Sequence, residues 1–218
     1  MVPGTNQVVM VGSTGPAAVV VLTAGGQLDT SFNGTGYRLD TPPGAVDATY
    51  SAVAIQPLPT GGYAIVAAGS GHLPNNSYSA LAARYSLSGS LDTSFGGTQT
   101  GYYFQTGGTT VSGVGALSGY FTTSSGPYAF AAIGVEQDGS LVLGGSQYYW
   151  DAAGNTYTTL AVGHFSADGV LDTTFGTNNG FTYVTAINGL LGPNELAIDP
   201  TTGKIVVCNG KVARLTAP

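Results

Sequence analysis

Apolar residues in this chain come in short runs rather than long stripes. AVAI (Ala52–Ile55), YAIV (Tyr63–Val66), LVLGG (Leu141–Gly145) and KIVV (Lys204–Val207) are bounded by Gly, Pro, Asp and Thr. Runs of this kind, separated by turn-forming residues, predict strands of about four to six residues. Nowhere does an i, i+3, i+4 apolar stripe continue for the roughly ten residues that a helix needs. The segments SLSGS, SADGV and EQDGS carry the Ser/Asp-Gly chemistry of hairpin turns, in which glycine supplies a positive φ. The pattern predicts an all-β chain.

The runs recur in order. AAVVVLTAGGQLDTSFNGTGYRL from Ala17, LAARYSLSGSLDTSFGGTQTGYYF from Leu81 and LAVGHFSADGVLDTTFGTNNGFTYV from Leu160 align with one another. Between them lies a second phrase: SAVAIQPLPTGGYAIVAAGS from Ser51, FAAIGVEQDGSLVLGGS from Phe130 and ELAIDPTTGKIVVCNG from Glu195. Four short strands per repeated unit is the signature of a propeller blade. A single propeller-like repeat domain over 1–218 is expected, with blade parts at about 4–49, 50–107, 128–187 and 193–218. A Gly/Ser/Thr-rich insert fills 108–127, and further insertions begin at Gly71 and Gln147. Two complete units are flanked by two incomplete ones, about fourteen strands in four blades. The incomplete units share the same middle strands, so they do not dovetail into one latched blade. Either two blades have three strands, or another copy or excised sequence supplies the rest.

Leu81-Ala82-Ala83-Arg84-Tyr85, with Gly89 to Gly96, resembles the bacterial delta-sixty repeat, whose consensus runs Leu-Ala-Arg-Tyr, a turn, then Gly-Ser-Leu-Asp-Thr-Ser-Phe-Gly. Gly139-Ser140-Leu141-Val142 matches its second phrase in part. The resemblance spans nearly the whole chain apart from the inserts. It implies a propeller-like module of a large secreted or surface protein, and implies no particular function. His164 and Val21 stand where the second copy has Arg84, so that arginine is not required in every blade.

Composition narrows the function. Only 7% of residues are charged, against roughly 25% in an average soluble domain. Five Lys and Arg and a net charge of −6 exclude a phosphate-gripping surface, and with it a nucleic-acid partner. A lone cysteine, Cys208, rules out an internal disulfide, and its apolar neighbours predict a buried, inert thiol. No apolar run approaches the ~18 residues of a membrane helix, so no membrane insertion is expected. No signal peptide is visible. A leader has been removed, or the chain is cut from a larger protein. An extracellular or cell-surface location is the expectation.

The repeated acids Asp29, Asp92 and Asp172 are candidates for catalysis or for structure. Equivalent residues of a repeat sit on different blades and do not converge, and an Asp just after a turn is suited to accept backbone N–H bonds. Arg84 and His164 each precede their Asp by eight positions, which across a hairpin brings cation and carboxylate together. Phe32, Phe95 and Phe175 read as apolar plugs between blades. No cofactor is expected. The Asp-x-Gly turns leave Ca²⁺ as the one ion to consider, but they lack the alternating acids and terminal Glu of an EF-hand loop. For enzymatic work there remain Asp40, Asp47, Glu136, Asp151 and Glu195, with His72 in a loop and Glu195 the best-placed acid for a propeller hydrolase or lactonase. No Ser-His-Asp set, metal-binding His pair or phosphate-cradling loop accompanies them, so no enzyme is expected. Tyr148, Tyr149, Trp150 and Tyr157, with Tyr120 and Phe121, gather in or beside the longest loops, where aromatic residues serve partner or sugar binding. The expected function is structural or adhesive, through protein partners or other copies of the chain at terminal edge strands. A carbohydrate-binding propeller is the alternative, and a hydrolase the next.

Overall fold

The computed structural model describes residues 1–74, 78–97, 99–104, 129–150, 156–176, 180–184, 195–199, 202–208 and 212–215. At 104, 147–150, 156–158, 184 and 213 it describes the backbone alone. Among these residues fourteen strands form four antiparallel sheets, each a meander of sequential strands. Sheet 1 contains β1 (Val8–Ser13), β2 (Ala17–Leu22) and β3 (Tyr37–Asp40). Sheet 2 contains β4 (Asp47–Pro57), β5 (Tyr63–His72), β6 (Tyr78–Ser86) and β7 (Tyr102–Phe104). Sheet 3 contains β8 (Ala129–Val135), β9 (Leu141–Trp150), β10 (Thr156–Phe165) and β11 (Phe181–Val184). Sheet 4 contains β12 (Glu195–Ile198), β13 (Ile205–Cys208) and β14 (Val212–Leu215).

This is a propeller-like array whose terminal blades are incomplete. A shared register fixes the correspondence between blades. Val9 pairs with Val21, Val66 with Arg84, Val142 with His164 and Val206 with Arg214. β1 therefore matches β5, β9 and β13. Among the described residues sheet 1 has no counterpart of β4 and β8, and sheet 4 has none of β7 and β11. Successive sheets stack through β1, β4, β8 and β12. No described helix is long and apolar enough to cross a membrane.

The middle strands are apolar on both faces. In β5, Ile65 and Ala67 pack toward sheet 1, whereas Val66 and Ala68 pack toward sheet 3. In β9, Leu141 and Leu143 face sheet 2, and Val142 faces sheet 4. Alternation thus disappears from the sequence because neither side of the strand meets water. Each buried large apolar side chain contributes about 1.5–3 kcal/mol, and Ala67, Ala68, Ala80, Ala82 and Ala83 let the sheets approach closely.

Strand length departs from the expectation. β4 has 11 residues, and β5, β9 and β10 have 10 each. His72, expected in a loop, ends β5. Gln147–Trp150 and the segment from Thr156, expected as a loop insertion, continue the β9–β10 hairpin, with Tyr149 opposite Tyr157 and Trp150 opposite Thr156. Polar and aromatic residues extend a ladder whose backbone bonds are already in register; only the apolar signal stops.

Candidate functional site

The repeated Asp-Thr-Ser/Thr-Phe segment builds the same turn three times. The Asp29, Asp92 and Asp172 amides each donate to a strand carbonyl, of Val21, Arg84 and His164 respectively, at 2.9 Å. One carboxylate oxygen, Oδ1, accepts from the backbone N–H and hydroxyl two residues on, at 3.0 and 2.6 Å in every copy, from Ser31, Ser94 and Thr174. The other oxygen receives a different donor in each blade. Asp29 accepts from Gln7 Nε2, Asp92 from Arg84 Nε at 2.8 Å, and Asp172 faces His164 Nδ1 at 3.1 Å. The Ser31 and Thr174 hydroxyls lower the Asp29 and Asp172 pKa below 3.8. For Asp92, burial pushes the pKa up, but Ser94 and Arg84 together outweigh it and the net shift is downward.

These turns also join neighbouring blades. The Asn33 amide donates to Ser88 O at 2.8 Å, and the Gly96 amide donates to Asp168 O at 2.9 Å. Each bond runs from the Asp turn of one blade to the hairpin turn of the next. The Phe95 ring covers Gly169, where a Cβ would lie 2.4 Å from the ring, and Gly169 has φ +73°. Phe32, Phe95 and Phe175 fall in the three successive inter-sheet cores.

Arg84 is the centre of the junction between sheets 2 and 3. It is buried, with its Nη1 donating to Ala167 O at 2.6 Å and its Nη2 reaching Asp168 Oδ1 at 3.2 Å. Its guanidinium lies 5.1 Å from the Phe95 ring centre. Gln56, fully buried on β4, donates to Gly139 O at 2.7 Å and Ala167 O at 2.8 Å, and faces Arg84 with its Oε1. The junction between sheets 1 and 2 uses Arg38, which pairs with Asp40 and donates to Gly89 O at 3.1 Å. It also lies over the ring of Tyr85, whose hydroxyl is 2.7 Å from that of Tyr50. Burial drives both phenols well above their usual range, and raises Tyr102 to about 12. In sheet 3, His164 has Glu136 Oε2 at 3.1 Å from Nε2 and Asp172 on Nδ1. Both ring nitrogens donate there when the imidazole is protonated.

Gln56 was invisible in the sequence as a junction residue, and Gln7 as the donor to Asp29 within its own blade. An amide side chain carries no spacing signal, and Gln56 meets partners 83 and 111 positions away. The recurrence of Gln56 as Glu136, beside Arg84 and His164 respectively, is the one trace that could have pointed to it.

The other candidates are dispersed. Glu195 is exposed at the start of β12. His72 lies 3.3 Å from Asp47 Oδ2 and stacks on Tyr78. Cys208 is half-buried rather than buried: Ile205 and Val207 take the core side of β13, leaving Cys208 on the opposite face. Tyr120, Phe121 and Asp151 lie outside the described residues, as do the side chains of Tyr148, Tyr149, Trp150 and Tyr157. Among the described residues no three His, Cys, Asp or Glu side chains are placed to hold a metal ion.

A family model described as a β-propeller domain of unknown function (DUF5122) matches residues 65–95, from β5 through the second Asp turn. No curated protein and no solved structure matches the chain. The match includes Arg84, Asp92 and Phe95 but not their partners Gln56, Ala167 and Asp168, and it indicates a β-propeller domain of unknown function.

Proposed function

We propose that the chain is a non-enzymatic repeat module of a secreted or surface-displayed bacterial protein, of the delta-sixty type, working through contacts with proteins, including other copies of itself. One observation carries this: among the described residues sheets 1 and 4 have three strands each, with β1 and β14 at their edges. An edge strand presents unpaired backbone groups and is a ready docking surface. The acids favour a structural role, since Asp29, Asp92 and Asp172 hold turns, Asp40 holds Arg38, and Glu136 holds His164 and Ser140. The scarcity of charge and the repeat resemblance favour an extracellular setting. Sedimentation velocity from micromolar to millimolar protein tests self-contact. A coefficient that rises with concentration supports it, and a strict monomer across that range sinks it.

The register that sets Tyr149 opposite Tyr157, with Tyr148 and Trp150 beside it, favours a second reading. Four aromatic residues on one hairpin suit the faces of sugars. A glycan array decides: binding lost on Trp150→Ala supports this reading, and no binding by the unaltered chain ends it.

A further inference from the structure

The three internal junctions show what packs against each face of a sheet in this chain, and among the described residues sheets 1 and 4 each have one face without it. Sheet 1 packs Val9, Val11, Val19 and Val21 against sheet 2. Its opposite face therefore carries Val8, Met10, Val20, Tyr37 and Leu39, by strand alternation and register. The corresponding positions of sheet 2 are buried under sheet 1. Ile65 is 1% exposed where Val8 is 37%, Ala67 is 0% where Met10 is 49%, and Tyr102 is 6% where Tyr37 is 42%. Sheet 4 packs Ile205 and Val207 inward, so Val206, Cys208, Val212 and Arg214 lie on its outer face.

The polar half of the junction repeats the same complementarity. Arg214 occupies in sheet 4 the register position that Arg84 occupies in sheet 2, yet it is exposed. The hairpin turn of sheet 1, Ala24-Gly25-Gly26, corresponds to Ala167-Asp168-Gly169, whose alanine carbonyl accepts Arg84. Gly26 has φ +78°, like Gly169, but a Cβ there would meet nothing within 4 Å. Gly89 and Gly169 are each covered by the preceding blade. Sheet 4 thus carries the donor half of a blade junction, and sheet 1 the receiving half.

We infer that the outer face of sheet 4 docks on the outer face of sheet 1 of a second copy of this chain, Arg214 toward the Ala24–Gly26 turn, as a fourth version of the internal junction. Such a contact is heterologous, and it joins copies head to tail. It rests on the proposal that the chain contacts itself, and it moves that contact from the strand edges to the sheet faces.

Two charged substitutions on exposed residues test it: Met10→Asp on sheet 1 and Val212→Asp on sheet 4, with circular dichroism and thermal unfolding to confirm folding. Leu39→Lys replaces Met10→Asp if that variant fails to fold. Each alone should raise the dissociation constant of the copy–copy contact more than about tenfold, because it buries an unpaired charge. Mixed together, the two should form a capped 1:1 dimer, each contributing its one intact face. Loss of association by the sheet 1 variant alone means that sheet 1 pairs with itself, which overturns the inference. Association retained by both variants places the contact at the strand edges; it overturns the inference and leaves the proposed function standing. A monomeric unaltered chain removes both. As an independent readout, Met10→Cys should cross-link to native Cys208 of another copy through a short bis-maleimide, whereas the exposed control Thr60→Cys should not. Equal cross-linking of the two is a result against the inference.

Discussion

Replacing Arg84 with alanine removes the one guanidinium buried between sheets 2 and 3. The loss is worked from its partners. Ala167 O at 2.6 Å loses its charged donor and keeps Gln56, while the Gln56 oxygen loses Arg84. Asp92 keeps its Ser94 bonds but loses the cation 2.8 Å away. Hydrogen bonds to charged groups contribute about 1.5–3 kcal/mol each, and breaking a buried pair costs about 3–5 kcal/mol. Asp168 is 74% exposed, so its share is under about 1 kcal/mol. Asp92 is 34% exposed and can be rewetted, which draws the total toward about 3 kcal/mol. That is a large part of the roughly 5–15 kcal/mol that stabilises a typical domain. Urea unfolding in dilute solution measures it, with Arg214→Ala as the comparison. Arg214 holds the same repeat position in the open, where substitution should cost under about 0.5 kcal/mol. If the two variants unfold within about 0.5 kcal/mol of each other, the junction does not hold the blades together and the reasoning fails.

Two further outcomes follow from the Asp turns and their glycine receivers. Gly169→Ala should destabilise by about 1–3 kcal/mol more than Gly26→Ala in dilute solution: both carry positive φ, but only the former drives a methyl into the Phe95 ring. Thermal melts of the two variants would show it, and equal melting temperatures would contradict it. Asp29, Asp92 and Asp172 have folded pKa values below the usual 3.8 of an aspartate. Their contribution is therefore complete above that value and is lost as pH falls through the lower folded values. Urea midpoints from pH 6 to pH 2 should drop in the acid limb, and Ser94→Ala with Thr174→Ala should make that drop shallower.

Repetition made the Asp turns legible. Asp29, Asp92 and Asp172 recur at the same place in a repeated strand–turn pattern, and a carboxylate there has its own chain's amide within reach. The all-β class and the propeller-like array followed from runs such as AVAI and KIVV, because strand formation is local and repeats impose one unit on each copy. The extents of β9 and β10 were not legible, since QYYW continues the ladder through backbone bonds that carry no apolar signal. Gln56 was hidden for a related reason: its partners lie in the next blade, far along the chain.

What the sequence determined alone was therefore each blade's internal order, where a residue's partners are close neighbours in the chain. What only the tertiary structure decided was the relation between blades. Arg84 and Arg214 have the same register position, as do Gly169 and Gly26, yet one of each pair is buried and the other open. The difference lies in whether another sheet stands against it, and burial, which sets the strength of every polar contact in the junction, depends on that neighbour rather than on local sequence.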